Sequence, residues 1–303
     1  MKRLFLFALS AFLLMSCDDN IDQDAPSVAW PSNTKFSVVE MGTGFDTSIS
    51  VNAPAKIESL TLTLGLGDYA LLANQYINIG ANKSTSNKAP VFDVIDDSKV
   101  AEFLSGLGMT AGTGLRGKTI GTLNLEAILE AIVKDQLVAN NSSFTVDIKL
   151  SDQAGKTVSK VAKFHYTAPP SIVWTDNPDD EIVDLKQYSP SKFGPSKVRI
   201  TAPGKIRDLT VTLEDGGDPA LAKYIRNRTT GETLKIDLIN DPKAEEALGF
   251  PSSKVLSGKT DAVLDFSFIY GVIPDLGAST NVLSVKVVDN NGKPCVHQLK
   301  FKK

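Results

Sequence analysis

The chain repeats itself. Ser27-Val28-Ala29-Trp30 returns as Ser171-Ile172-Val173-Trp174, and VNAPAKIESLTLTL from Val51 to Leu64 returns as ITAPGKIRDLTVTL from Ile200 to Leu213. DVIDDSK from Asp93 returns as DLINDPK from Asp237, Gly117-Lys118-Thr119 as Gly258-Lys259-Thr260, and VDIKLSDQAGK from Val146 as LSVKVVDNNGK from Leu283. The matches keep their order, so the 303 residues hold a duplicated module of about 140 residues with its boundary at Ala168, Pro169 and Pro170. Whatever fold forms must therefore be one that this shorter stretch makes twice.

Inside each copy the apolar residues run with period 2. Val146, Ile148 and Leu150 alternate with Thr145, Asp147 and Lys149; a turn at Asp152 to Lys156 leads into a return strand bearing Ala162, Phe164 and Tyr166. The second copy does the same with Leu283, Val285 and Val287, a turn at Asp289 to Gly292, and Leu299 and Phe301 coming back. Helical signals interrupt the strands. Asp218-Pro219 opens ALAKYI, and Asp241-Pro242 opens KAEEAL before Gly249, each an N-cap followed by proline at the first helical position. Leu125, Ile128, Leu129, Ile132 and Val133 make one apolar helix face. In the second copy Gly271 and Pro274 fall where that helix would run, so at most a short turn is expected there. The fold class read from these patterns is mainly β with helical insertions.

Composition narrows the chemistry. Lys+Arg 32 against Asp+Glu 35 leaves no basic surplus for a phosphate backbone, which argues against nucleic acid as a partner. Two cysteines and two histidines are too few for a zinc framework or a disulfide scaffold, and they leave most metal and acid/base chemistry without its usual residues. No catalytic residue, metal or cofactor is expected. At the N-terminus Lys2 and Arg3 precede an apolar run from Leu4 to Leu14, the layout of a secretory signal and too short for a bilayer, which needs about 20 apolar residues.

Met15-Ser16-Cys17 closes that run and resembles the bacterial lipobox, in which the cysteine is acylated and becomes the first mature residue. The resemblance implies that Cys17 carries the lipid; a simple signal peptide with an incidental cysteine is the alternative. Removing residues 1–16 takes Lys2 and Arg3 and no acid, leaving 30 basic against 35 acidic residues, a net charge of -5. Asp18, Asp19 and Asp22 follow the cysteine and resemble the export signal of Bacteroidetes surface lipoproteins, whereas by enterobacterial rules an acid there means retention at the inner membrane. Residues 17–26 read as the acylated cysteine and a tether of up to about 30 Å, at about 3.4 Å per residue. The closing hairpin of each copy is similar to the last two strands of Ig-like modules on bacterial surfaces. That resemblance implies two tandem Ig-like β-sandwich repeats, residues 27–168 and 171–303, on a lipid-anchored, cell-surface-exposed protein of the outer membrane.

Four constellations could carry chemistry. Gly112 to Thr119 satisfies the P-loop pattern, but a P-loop follows a buried strand and opens a helix at once, and here a helix end precedes it while the next helical face waits until Leu125. A glycine-rich loop is the better reading, with no nucleotide. Cys295 and His297 lie two apart on a strand whose same face bears Leu299 and Phe301, so the thiol reads as a packing group. Asp96-Asp97 and Asp179-Asp180-Glu181 lack calcium-loop spacing and read as caps and solvated acids, with calcium near Asp176 or Asp179 the remaining option. Trp30 and Trp174 suit either a sugar-stacking platform or a core plug, and Tyr166, Tyr188 and Tyr270 are further candidates for a binding face. The expected function is non-enzymatic: structural, adhesive or ligand-binding at the cell surface. The alternative is an extracellular glycan-binding protein of a polysaccharide-uptake system. Expected partners are the membrane, through the anchor, and an extracellular glycan or surface protein.

Overall fold

The computed structural model describes residues 25–30, 38–70, 89–133, 138–229, 234–241 and 248–303. Cys17, the signal segment, all but the last two tether residues and the helix expected after Asp241 lie outside them. The first repeat contains β1 (Ser27–Ala29), β2 (Val38–Glu40), β3 (Ser48–Asn52), β4 (Ile57–Gly65), β5 (Val91–Asp93), β6 (Ile120–Asn124), β7 (Ser142–Asp152) and β8 (Thr157–Tyr166). Its helices are α1 (Ser98–Gly106) and α2 (Leu125–Val133). The second contains β9 (Ser171–Trp174), β10 (Val183–Asp184), β11 (Lys197–Thr201), β12 (Ile206–Leu213), β13 (Lys235–Asp237), β14 (Asp261–Asp265), β15 (Thr280–Asp289) and β16 (Pro294–Lys302). With them come α3 (Pro219–Arg226), α4 (Ser253–Leu256) and α5 (Phe268–Val272).

The sheet orders are β1-β3-β6 with β2-β8-β7-β4-β5, and β9-β11-β14 with β10-β16-β15-β12-β13. Each strand of the first repeat has the counterpart eight places later. In immunoglobulin lettering these are an A-B-E sheet and a C′-C-F-G sheet, the latter extended in the first repeat by β2 beside β8 and in the second by β10 lying parallel to β16. The chain is thus mainly β, in two tandem Ig-like sandwich repeats with helical insertions. Contacts divide it into two compact units: Met1–Val38, Asp46–Gln136 and Ser143–Lys163 form one, and Val39–Phe45, Leu137–Ser142 and Phe164–Lys303 the other.

Strand alternation sorts the core. Leu60, Leu62 and Leu64 of β4 and Val146, Ile148 and Leu150 of β7 are buried, as are Leu209, Val211 and Leu213 of β12 and Leu283, Val285 and Val287 of β15. Both inner pairs carry the same register shift, after Ile57 and after Ile206. All five apolar positions of the α2 stripe are buried. The second repeat has the five-residue α5 and a 3-10 turn in its place, because Pro274 removes a backbone donor.

The Gly-Lys-Thr loops explain why that motif occurs twice. Between β3 and β4 the chain turns a corner through Lys56, at φ 73°, and between β11 and β12 through Lys205, at φ 67°. The lysine amide donates to the carbonyl three residues back at 2.8 Å in both, closing the turn. The loop then takes the remaining corner groups. Ala53 and Ala202 donate to the carbonyls of Thr119 and Thr260, Ile57 and Ile206 donate to those of Lys118 and Lys259, and Gly117 and Gly258 donate back to Ile57 and Ile206. All six bonds are 2.8–2.9 Å. Gly117 and Gly258 both sit at φ 71°, where a Cβ costs about 1–2 kcal/mol.

Carboxylates secure the turns and helix starts. Asp93 accepts from the amides of Ile95 and Asp96, and Asp237 from those of Ile239 and Asn240. Asp97 caps α1 through Lys99 and Val100, and Asp218 caps α3 through Ala220 while also accepting from Gly277 N–H and the Ser279 hydroxyl. In the second unit the buried Lys293 ammonium donates to Glu40 Oε1 (2.7 Å) and the Thr167 carbonyl (2.6 Å), and the Thr167 amide donates to the same oxygen. His165 is half-buried with Nδ1 2.7 Å from Glu40 Oε2. Burial raises the Glu40 pKa, but the hydrogen bonds from Lys293, His165 and Thr167 outweigh it and hold the carboxyl below its ordinary value.

Two measurements check this account. Gly117→Ala and Gly258→Ala should each lower stability by about 1–2 kcal/mol in chemical denaturation, since no neighbour lies within 4 Å of the added methyl and the cost is the backbone's alone. Burial raises the pKa of Asp218, but its amide and hydroxyl donors outweigh that and hold it below the ordinary 3.8. Its contribution is therefore complete above pH 3.8 and lost as pH falls through the lower folded value. Asp218→Asn should be less stable than wild type near neutrality and should converge with it in acid.

Candidate functional site

The turn before β11, Tyr188-Ser189-Pro190-Ser191-Lys192-Phe193-Gly194-Pro195, brings three rings together. Ser189 and Lys192 exchange backbone bonds at 3.1 and 2.9 Å, making a tight loop that presents what lies within it. A Cβ on Gly194 would fall 2.5 Å from the Tyr188 ring, so glycine lets that ring lie over the chain. Tyr270 of α5 is fully buried beneath, its hydroxyl donating to the Pro195 carbonyl at 2.7 Å. Burial, then the neighbouring Tyr188 and Asp176, push its pKa above the ordinary 10. Tyr188 meets Tyr270 edge-on at 5.5 Å, and Phe193 stacks on it at 5.7 Å with an interplanar angle of 28°. Phe193 is 59% exposed, and Lys192 Nζ lies 5.9 Å from the centre of the Tyr188 ring. The result is an aromatic platform on a rigid base. It can stack CH groups or a flat ring.

Two of the five aromatic candidates meet here, in different roles. Tyr188 borders the platform, whereas Tyr270 supports it from below. Phe193, the most exposed ring, was not among the sequence candidates; an aromatic inside a Ser-Pro-Ser-Lys/Gly-Pro turn was the available signal, since turns run on the surface. Trp30 and Trp174 are each 2% exposed. Trp174 packs on Phe301 at 5.3 Å, opposite in register to buried Val198, while its neighbour Val173 points outward. Neither indole therefore offers a face to a sugar, and the core-plug role replaces stacking for both.

The first unit holds a cavity of about 570 Å³ on the side of β6. Leu107, Met109 and Thr110 form one wall, Ser48, Ile120 and Thr122 of the sheet another, and Lys118 and Ala127 also line it. The glycine-rich loop that supplies Lys118 leads into β6 and not into a helix, and its carbonyls are used by the β3–β4 corner. Elsewhere, Cys295 is half-buried against the core and burial pushes its thiol pKa up, only partly offset by the Ile172 backbone. The Asp176 carboxylate accepts from the amides of Ser196 and Lys197. Among the described residues no group of three or more His, Cys, Asp or Glu is placed to hold a metal ion.

No protein-family model matches the chain, and no curated protein matches it. Among solved structures it is similar to the two-domain DIP-gamma IG1+IG2 (7% identity, TM-score 0.29, 92% of this chain and 97% of that one). A two-domain fibronectin type III segment of chicken tenascin matches at 11% identity and TM-score 0.23, over 84% and 93%. A Ca²⁺-stabilised ice-binding adhesin of an Antarctic bacterium matches at 12% identity and TM-score 0.26; 91% of this chain is covered, and the match spans 48% of that chain.

Tyr270→Phe should cost about 1–3 kcal/mol in thermal or chemical unfolding, because the Pro195 carbonyl loses its buried donor. Phe193→Ala should change stability by about 0.5 kcal/mol or less, as exposed positions do.

Proposed function

We propose that the chain is a non-enzymatic, lipid-anchored protein of the outer membrane, displayed at the cell surface, whose repeats serve a structural, adhesive or ligand-binding role. In this reading residues 1–16 are the signal, Cys17 is acylated, residues up to 26 are the tether, and residues 27–168 and 171–303 are the displayed modules. The observation that carries it is the use to which chemistry-like residues are put. The Gly-Lys-Thr motifs, the Asp caps, the indole of Trp174 and the thiol of Cys295 all serve scaffolding, and the features turned outward are aromatic and polar. A cavity and an aromatic platform on a duplicated sandwich suit holding a partner better than transforming one.

Glycan capture is the second reading, and the Phe193–Tyr188 platform favours it. An exposed ring stacked on a buried one is fixed before a sugar arrives, which lowers the ordering cost of binding. With one small platform, affinity per site would be weak and raised by multivalent display.

Cys17→Ser should move the protein from the membrane fraction to the soluble one and abolish fatty-acid labelling; retention with labelling intact would sink the anchor. Titration against a panel of polysaccharides separates the two readings of the modules. Binding that Phe193→Ala removes without unfolding supports glycan capture, and silence across the panel supports the structural role.

A further inference from the structure

The cavity of the first unit has a counterpart position in the second repeat, and there it is filled. From Leu107 to Leu129 the first repeat aligns without a gap on Leu248 to Tyr270, anchored by the paired Gly-Lys-Thr loops, by Gly108 and Gly249 (φ 78° and 74°) and by buried Leu115 and Leu256. The β3–β6 and β11–β14 registers agree with that alignment, Ser48 facing Asn124 as Lys197 faces Asp265. Met109 then corresponds to Phe250, and Ala127 to Phe268. Phe250 is buried and meets Phe268 edge to face at 5.9 Å, and Tyr224 of α3 stacks on Phe268 with the rings parallel, also at 5.9 Å. Three rings thus pack at the second site. At the first, Met109 and Ala127 both line open space.

A space that this framework fills with phenyl rings is shaped for a ring. Its volume of about 570 Å³ falls within the roughly 300–1,000 Å³ of small-molecule sites. The charge on its walls is one-sided. Among the described residues that line it, Lys118 is the one ionisable group and none is acidic, and among the described residues no carboxylate pairs with Lys118. Ser48, Thr110 and Thr122 add hydroxyls. We infer that this cavity is a binding site for a small planar aromatic carboxylate, with the ring between Met109 and Ala127 and the carboxylate on Lys118. The second repeat has closed the same site with its own side chains.

The test uses the purified full-length protein and 2-naphthoate, followed by titration calorimetry or ligand-observed NMR. Neutral 2-naphthamide and non-aromatic cyclohexanecarboxylate are the comparison probes. Saturable binding of naphthoate is expected, about tenfold tighter than of either comparison probe. Met109→Phe with Ala127→Phe installs two of the three rings that the second repeat carries, and should abolish binding while the circular dichroism spectrum stays unchanged. Lys118→Gln, an exposed position whose backbone bonds are untouched, should bring naphthoate down to the naphthamide level. No saturable naphthoate binding, or full binding in a folded ring-filled variant, would overturn the site. Equal binding of naphthoate and naphthamide would overturn the carboxylate assignment, and equal binding of cyclohexanecarboxylate the aromatic one. Should the ring-filled variant fail to fold, Lys118→Gln decides: unchanged naphthoate affinity overturns the proposal.

Discussion

The corner that joins one sheet to the other is the constraint on which each sandwich rests. A chain passing from β3 to β4, or from β11 to β12, must reverse its role within four residues, and the backbone groups it exposes there are then covered. Buried amides and carbonyls without partners cost about 1–3 kcal/mol each, so the corner needs an outside donor and acceptors. The Gly-Lys-Thr loops provide them with the same three bonds in each repeat. That accounting explains why the motif is repeated although the surrounding loop, Gly112 to Arg116 against Ser253 to Ser257, is not. Lysine and threonine act there through their carbonyls, and the side chains are left for other uses.

Duplication with divergence then allows one framework to do two things. Where the second repeat spends Phe250, Phe266, Phe268 and Tyr224 on its own packing, the first has Met109, Leu125 and Ala127 and keeps an opening. Where the second repeat builds the Tyr188–Phe193 turn over Tyr270, the corresponding core position in the first is Leu129. Each repeat therefore turns a different aromatic opportunity outward, one as an open slot and the other as a platform. The strand pairing accommodates either choice, because β3–β6 and β11–β14 keep the same register whichever side chains stand beside them.

Period-2 alternation in Val146–Leu150 and Leu283–Val287, the capped proline start at Asp218-Pro219 and the apolar stripe of α2 determined the mainly β class, the hairpins and the helices where they stand, since these depend on neighbours within a few residues. The internal match determined that one topology would appear twice. Position relative to solvent was decided only in three dimensions. A tryptophan at a strand start faces in or out by register, and pairing with β11 turned Trp174 inward, just as packing under the Pro195 turn made Tyr270 a support and left Phe193 as the contact. The open slot is the clearest case. Met109 and Ala127 are unremarkable in sequence, and they line a cavity because residues far apart along the chain, from Ser48 to Ala127, meet around side chains too short to fill the space between them.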